Sequence, residues 1–333
     1  MDVFIALIQA AVSFGTVIMF GAVGEILTEK SGNLNLGVPG TMYMGGIASL
    51  ASSFFYERAC QSAGTAPSPV LLIVIPMVCA FLAAALGGLI YSFLTVTLRT
   101  NQNVTGLTLT IFGAGLANFF GGSLNKLAGG VGQISVAQTS EVYRGGLFSF
   151  LPLPESLMKL FFNYGFLVYL AVAAAIAAHI FLNKSSTGLN LRSVGENPAT
   201  ADAAGISVTK NKYLATCMGA GITGLGGLYS VMDYVKGTWA NDGTLENLGW
   251  LAVALVIFTT WKPGRSIWGS YLFGTLFWAY LLFAAGLTRR SQELFNMLPY
   301  VITIVVLIIV SLRKKKEDQP PASLGLAYFR EER

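Results

Sequence analysis

Nine apolar runs, near residues 3–27, 36–55, 70–98, 104–120, 161–182, 213–232, 248–261, 267–287 and 298–312, carry almost no charge. Only Glu25 and, late in the fifth run, His179 could ionise as acid or base inside them. A hydrocarbon core about 30 Å thick takes roughly 20 helical residues, and in it every backbone N–H and C=O must be bonded within the protein. The pattern therefore predicts an all-α polytopic membrane protein with about nine transmembrane helices. Run 70–98 is long enough that it must tilt or kink. Run 248–261 is short and implies a half-buried or broken helix. Composition agrees, since 11% of the residues are charged against roughly a quarter in soluble domains.

The charges between the runs set an orientation. If 184–212 and the tail beginning Arg313-Lys-Lys-Lys share one side, the crossings between them come out even. Fourteen Lys and Arg then lie on that side, and seven (Arg58, Lys126, Arg144, Lys159, Lys236, Arg289, Arg290) on the other. Positive charge marks the cytoplasmic side, so the C-terminus is expected inside and, with nine crossings, the N-terminus outside. The net charge of +5 then follows from topology and calls for no nucleic acid. The opening Met1-Asp2 lacks a basic region, which argues against a cleavable signal.

Several chemistries are excluded. Cys60, Cys79 and Cys217 are scattered and fit neither a disulfide framework nor a metal site, and a single histidine leaves no His-based metal centre. No nucleophile–base or carboxylate pair stands out, so no catalytic residue, metal or cofactor is expected. No G-x-x-x-x-G-K-[ST] loop is present, so nucleotide cannot bind in that manner. The runs also lack the buried acids that relay protons in ion-coupled carriers. Glu25 reads as a snorkelling or helix-capping residue. A transporter without a motor of its own implies a separate one.

Polar breaks hint at internal symmetry. Ser31-Gly-Asn-Leu-Asn-Leu-Gly-Val follows the first run, and Leu245-Glu-Asn-Leu-Gly-Trp follows the sixth. Runs one to four and six to nine would then be inverted repeats joined by run five, with interrupted helices at matching positions, an arrangement that builds central sites in transporters. Glycines cluster where helices would touch, at 45 and 46, 113 and 115, and 219, 221, 224, 226 and 227; in lipid such residues permit close packing.

Between runs five and six lies a polar segment, 184–211. Asn197 is a suitable N-cap, Pro198 suits the first helical position, and Gly205 supplies a stop. Two small-faced turns are marginal in water, so this helix asks for a partner surface. The run from Gly188 through Gly195, Glu196, Asn197, Pro198, Ala199, Thr200, Ala201 and Asp202 to Val208, followed by Lys212-Tyr-Leu-Ala, closely resembles the coupling segment of bacterial ABC importer permeases of the branched-chain amino acid, ribose and nucleoside branch. The stretches 24–42, 101–113 and the tail with Pro321-Ala-Ser-Leu-Gly and Arg330 resemble nucleoside permeases in particular. One departure stands out: Gly37-Val38-Pro39-Gly40 replaces the usual Gly-x-Glu-Gly.

The resemblance implies a permease domain, 1–312, with a cytoplasmic tail, 313–333, in a bacterial cytoplasmic membrane. It implies ATP-binding ABC subunits contacting Gly195, Glu196, Asn197, Pro198, Ala199 and Asp202. It further implies a second, different permease chain and an extracellular or lipid-anchored substrate-binding protein. A small polar substrate, most consistently a nucleoside, would cross. Amides and one aromatic face suit such a solute, which makes Asn33, Asn35, Asn101, Asn103, Asn118, Asn247 and Trp250 candidates for its path. Helix capping, interhelical bonding and interfacial anchoring are the alternative roles of these residues. Ribose and branched-chain amino acids remain alternative solutes, and an ion-coupled carrier the alternative class.

Overall fold

A computed structural model describes residues 2–127, 134–146, 158–239, 242–279, 289–313 and 318–330. The long elements are α1 (Asp2–Glu29), α2 (Val38–Ala63), α3 (Pro69–Ser92) and α4 (Gln102–Leu127), followed by a short α5 (Ala137–Arg144) and then α6 (Phe166–Lys184). The polar segment forms α7 (Ser186–Glu196) and α8 (Pro198–Ala203). The remainder is α9 (Val208–Tyr229), α10 (Thr244–Phe258), α11 (Pro263–Trp278) and α12 (Arg289–Arg313). The α3 helix contains Pro76 and passes into a π-helical turn at Phe93–Thr97. That turn is the local distortion the over-long third run called for. Two more π turns follow, Met158–Phe162 ahead of α6 and Ser230–Tyr234 at the end of α9.

Each predicted apolar run overlaps one of these helices, the latter part of run 267–287 lying outside the described residues. By length and composition, α1, α3 with its π turn, α4, α6 and α9 with its π turn can cross a membrane, and Thr244–Phe258 and Glu293–Ile309 are shorter apolar helices. The α2 helix is less apolar than these for a physical reason. Its residues 38–47 are all buried against other helices, so it needs no lipid-compatible outer face and can carry Ser49, Ser52 and Ser53.

The packing is reciprocal. Helix α1 lies on α11 as α9 lies on α3; α1 touches α10 as α9 touches α2; and α2 packs on α3 and α4 as α10 packs on α11 and α12. Where α1 crosses α9, a Cβ on Gly24 would sit 2.3 Å from the carbonyl oxygen of Gly219, and one on Gly219 would sit 2.4 Å from that of Gly24. No side chain larger than hydrogen fits at that crossing. Van der Waals contact between backbones replaces the apolar burial that lipid cannot drive.

Connections gather at two opposite ends. At one, the chain between α1 and α2, the start of α4, α7, α8, the α10–α11 turn and residues 318–330 bond to one another. At the other, Glu57 late in α2 accepts the Thr139 N–H and hydroxyl at 2.8 and 2.6 Å, and Ser140 bonds the Met232 carbonyl at 2.7 Å.

Candidate functional site

The α1–α2 connection, residues 30–37, turns back into the helical body. Gly106 and Thr110 of α4 meet Leu36, and Gly113 meets Gly40. At 1.5 Å per residue, Gly113 lies about 16 Å along α4 from Gln102. Backbone that deep must find partners inside the protein, and almost every position does. Asn35 donates its N–H to Glu25 at 3.1 Å and its amide to the same carboxylate at 3.4 Å, and its own Oδ1 accepts the Gly37 N–H at 2.9 Å. Gln102 accepts from the Leu34 N–H at 2.6 Å, and Tyr91 donates to the Leu34 carbonyl at 2.5 Å. Asn33 donates to Thr216 Oγ1 at 2.9 Å. One residue pair closer to the helix end, Trp261 donates its indole N–H to Glu29.

Glu25 therefore neither snorkels nor caps its own helix. It is 1% exposed, and its carboxylate fastens the returning loop. The second missed feature is Gln102, flanked by the two asparagines that the residue types favoured. Buried at 3% exposure, it joins α4 to the loop and to the Leu326 carbonyl. Pro39, the departure from the resembled motif, occupies the first turn of α2 and packs on Gly249, where an added Cβ would approach it within 2.6 Å. Proline at a helix start loses no hydrogen bond.

The seven path candidates separate into groups. Asn33 and Asn35 are buried in the returning loop. Asn101 caps α4, its Oδ1 accepting the Val104 N–H at 3.1 Å. Asn103 and Asn118 are exposed on α4, Asn247 is exposed on α10, and Trp250 is half-buried beside it. None of the seven lines any of the four cavities described. Among the described residues they are not brought together in one of these cavities.

The polar segment is built as its cap residues dictate. Asn197 Oδ1 accepts the Thr200 N–H at 3.0 Å, Pro198 opens α8, and Gly205 closes it at φ +83°. Glu196, Asn197 and Thr200 are exposed, while Pro198 and Ala199 are half-buried. Two of the six coupling candidates face inward instead. Gly195 is buried, with room for no side chain beside the Lys30 carbonyl, and its own carbonyl accepts the Ser323 N–H at 3.0 Å and hydroxyl at 2.6 Å. Asp202 accepts from Tyr328 at 2.9 Å and pairs with Arg330 at 3.1 Å.

These inward contacts reveal a strap. Residues 318–330 run across this whole end. Asp318 bonds Lys262 at 2.6 Å and Arg265 at 3.2 Å, Gly325 donates to the Gly32 carbonyl at 3.2 Å, and Phe329 lies 4.6 Å beneath the Arg99 guanidinium. The Lys262 ammonium holds the Asp318 carboxyl below the ordinary aspartate range. Burial, assisted by the neighbouring Arg192, pushes Lys30 down to about 8. Nothing in the composition of the tail signals this course, because each partner is distant in sequence. Among the described residues no group of His, Cys, Asp and Glu could hold a metal ion.

Comparison with known proteins now becomes informative. The family described as "Branched-chain amino acid transport system / permease component" matches residues 7–307. A putative glucose ABC transporter permease protein of Haloferax volcanii is 32% identical over 289 residues, 86% of this chain and 78% of that protein. A nucleoside ABC transporter permease protein of Lactococcus lactis subsp. cremoris is 29% identical, covering 89% of each chain. A guanosine ABC transporter permease protein of Bacillus subtilis is 28% identical, covering 90% of each. No solved structure matches significantly. Helices able to cross a membrane, a capped polar segment between them and a family match over most of the length converge on one conclusion: the chain belongs to the branched-chain amino acid transport system permease family, as a multi-pass permease subunit of an ABC importer that is not itself an enzyme.

Proposed function

We propose that this permease imports nucleosides. The observation that carries the reading is its likeness, over about nine-tenths of both chains, to permeases named for nucleosides and guanosine. Chemistry supports it. The path candidates are six amides and an indole, suited to base edges, sugar hydroxyls and stacking. A branched-chain amino acid would bring an ammonium and a carboxylate, which an uncharged path desolvates without compensation. The acids buried beside the path, Glu25 and Glu29, are already bonded to Asn35 and Trp261. A neutral sugar meets the same charge argument and is favoured by the putative glucose permease among the relatives. Radiolabelled guanosine uptake by the reconstituted complex, competed with excess uridine, glucose, ribose or leucine, tests this. Competition by sugars or leucine but by no nucleoside would overturn it.

The working architecture follows from the same reading. Nine helices cross the membrane, α1–α4 and α9–α12 forming inverted repeats around α6. The end carrying α8 and the strap faces the cytoplasm, and the N-terminus lies outside. Residues 1–312 are the transmembrane domain and 313–333 the tail, whose residues 318–330 dock on its cytoplasmic face. The returning loop at 30–37 and the start of α2 are the interrupted helix of the first repeat, and 235–243 with α10 are its counterpart. Exposed Asn103 and Asn118 on α4, and Asn247 on α10, would face a second permease chain, completing a path that one chain leaves open. An extracellular or lipid-anchored binding protein delivers the solute. An ABC ATPase docks on Glu196, Asn197, Pro198 and Ala199, and drives the cycle by binding one packing state better than the other. Glu196→Arg with Asn197→Ala should abolish substrate-stimulated ATP hydrolysis while receptor binding persists; full transport by that variant would refute the docking site. An impermeant thiol reagent should label a cysteine at Glu141, which is exposed on α5 next to the buried Ser140, and not one at Gly264, in intact cells. The reverse pattern would invert the orientation.

A further inference from the structure

Beneath α8 lies a polar cavity of about 230 Å³ that the transport reading leaves unused. Its floor is the start of α9, a helix of 22 residues, with Ser207 as N-cap. At such a start the first N–H groups, here those of Val208 and Thr209, have no acceptor within the helix. One turn on, Lys212 is 3% exposed, lines the cavity and makes no hydrogen bond or ion pair. Arg99 reaches the cavity from the α3–α4 connection, where its φ of +58° turns the chain. The strap closes the opposite side with Tyr328 and Arg330. The single carboxylate lining the cavity among the described residues, Asp202, is already engaged by both of these. A buried ammonium, a guanidinium and open helix-start amides thus converge with no anion among the described residues to answer them beyond the engaged Asp202.

We propose that this cavity binds a phosphate group, held by Arg99, Lys212 and the first-turn amides of α9. Open amides at a helix start, together with the dipole, favour negative charge. Guanidinium and ammonium bond tetrahedral phosphate oxygens through short, charge-assisted contacts. The volume leaves room for whatever the phosphate is attached to. A bound phosphate would also tie the strap to α9 and to the α3–α4 connection, at the point where α8 meets the ATPase. Two sources share this chemistry: a phosphate free in solution and the headgroup of an anionic phospholipid. The site does not depend on which solute is imported.

The test uses the full-length chain in nanodiscs. In phosphatidylcholine discs, inorganic phosphate is titrated at constant ionic strength against acetate while thermal unfolding and binding are followed. In a second arm, phosphatidylglycerol is added to the discs without phosphate. Saturable stabilisation by phosphate, weakened about tenfold in Lys212→Met and in Arg99→Gln, assigns the site to a soluble phosphate. Stabilisation by phosphatidylglycerol alone, lost in the same variants, assigns it to the lipid headgroup. Lys212→Met removes an unpaired buried charge and is expected to fold; Arg99→Gln, on an exposed residue, is the second check. No stabilisation in either arm, or stabilisation that either variant retains in full, overturns the proposal.

Discussion

The connections between α1 and α2, residues 30–37, and between α9 and α10, described at 235–239 and 242–243, are held by different means. The first is bonded through five side chains on four helices: Glu25 of α1, Tyr91 of α3, Gln102 and Thr110 of α4, and Thr216 of α9. The second relies on backbone. The Val136 N–H donates to the Gly237 carbonyl at 2.9 Å and the Gly237 N–H to the Val231 carbonyl at 2.7 Å, Ser135 and Thr238 form an isolated antiparallel bridge, and Lys236, Gly237 and Gly243 all take positive φ. The contrast teaches where motion is transmitted. The first connection is tied to α7 through Gly195 and to the strap through Gly32, so a displacement of α8 reaches it through bonded backbone. The described part of the second connection is tied instead to the α5 region.

The comparison can be broken most forcefully by volume. Gly106→Leu would drive a side chain into the Leu36 backbone, which a Cβ already approaches at 2.6 Å. Overpacking of this kind costs about 3 kcal/mol, read as a lowered unfolding temperature and lost transport. Gly122→Ala on the same helix, with nothing within 4 Å, should leave both unchanged.

A smaller effect separates the two connections by bonding. Glu25→Ala strands the buried Asn35 N–H, at about 1–3 kcal/mol, whereas Ser140→Ala at the other end removes the bond to Met232 and a longer one from the exposed Arg144, together worth about 1 kcal/mol. Unfolding temperatures of the two variants should rank in that order. An equal or reversed ranking would show that the first connection gains nothing from its carboxylate.

Removing the strap sharpens the point. A chain ending before Asp318 should show faster amide exchange at 30–35 and unchanged exchange at 235–239. Equal acceleration at both would mean that the strap supports the fold as a whole.

The least effect is expected from pH. Asp318 is held below its usual range by Lys262, so its folded pKa lies under the unfolded one. The pairing is therefore intact above the unfolded value and is lost only as pH falls through the folded one. A fluorophore on a cysteine at Ala322, in a background without the native cysteines, should gain mobility only below the ordinary aspartate range. In Asp318→Asn that mobility should already be high at neutral pH.

Much of the outline was legible in sequence because it rests on local physics. Charge-free runs of membrane length specify helices wherever their side chains end up, since lipid leaves backbone no other way to be satisfied. Asn197, Pro198 and Gly205 act on their own neighbours, so α8 could be read from its cap residues. The glycine clusters foretold close crossings, though not which helices cross. The path candidates show the limit of this approach. Residue type alone put Asn101 and Asn103 forward, yet Asn101 is spent on its helix cap and the buried amide between them, Gln102, holds the returning loop.

Sequence by itself determined the helices, their order, the breaks between them and the capped segment on the α6–α9 connection, because each depends on residues a few positions apart. Only the tertiary structure decided that Glu25 anchors Asn35, that Gly195 and Asp202 hold the strap rather than a free surface, and that Arg99, Lys212 and Arg330 surround one cavity. Those pairings join residues from 10 to more than 100 positions apart. Their selection rests on which buried donors and acceptors meet once the backbones have packed, and no periodicity along the chain encodes that.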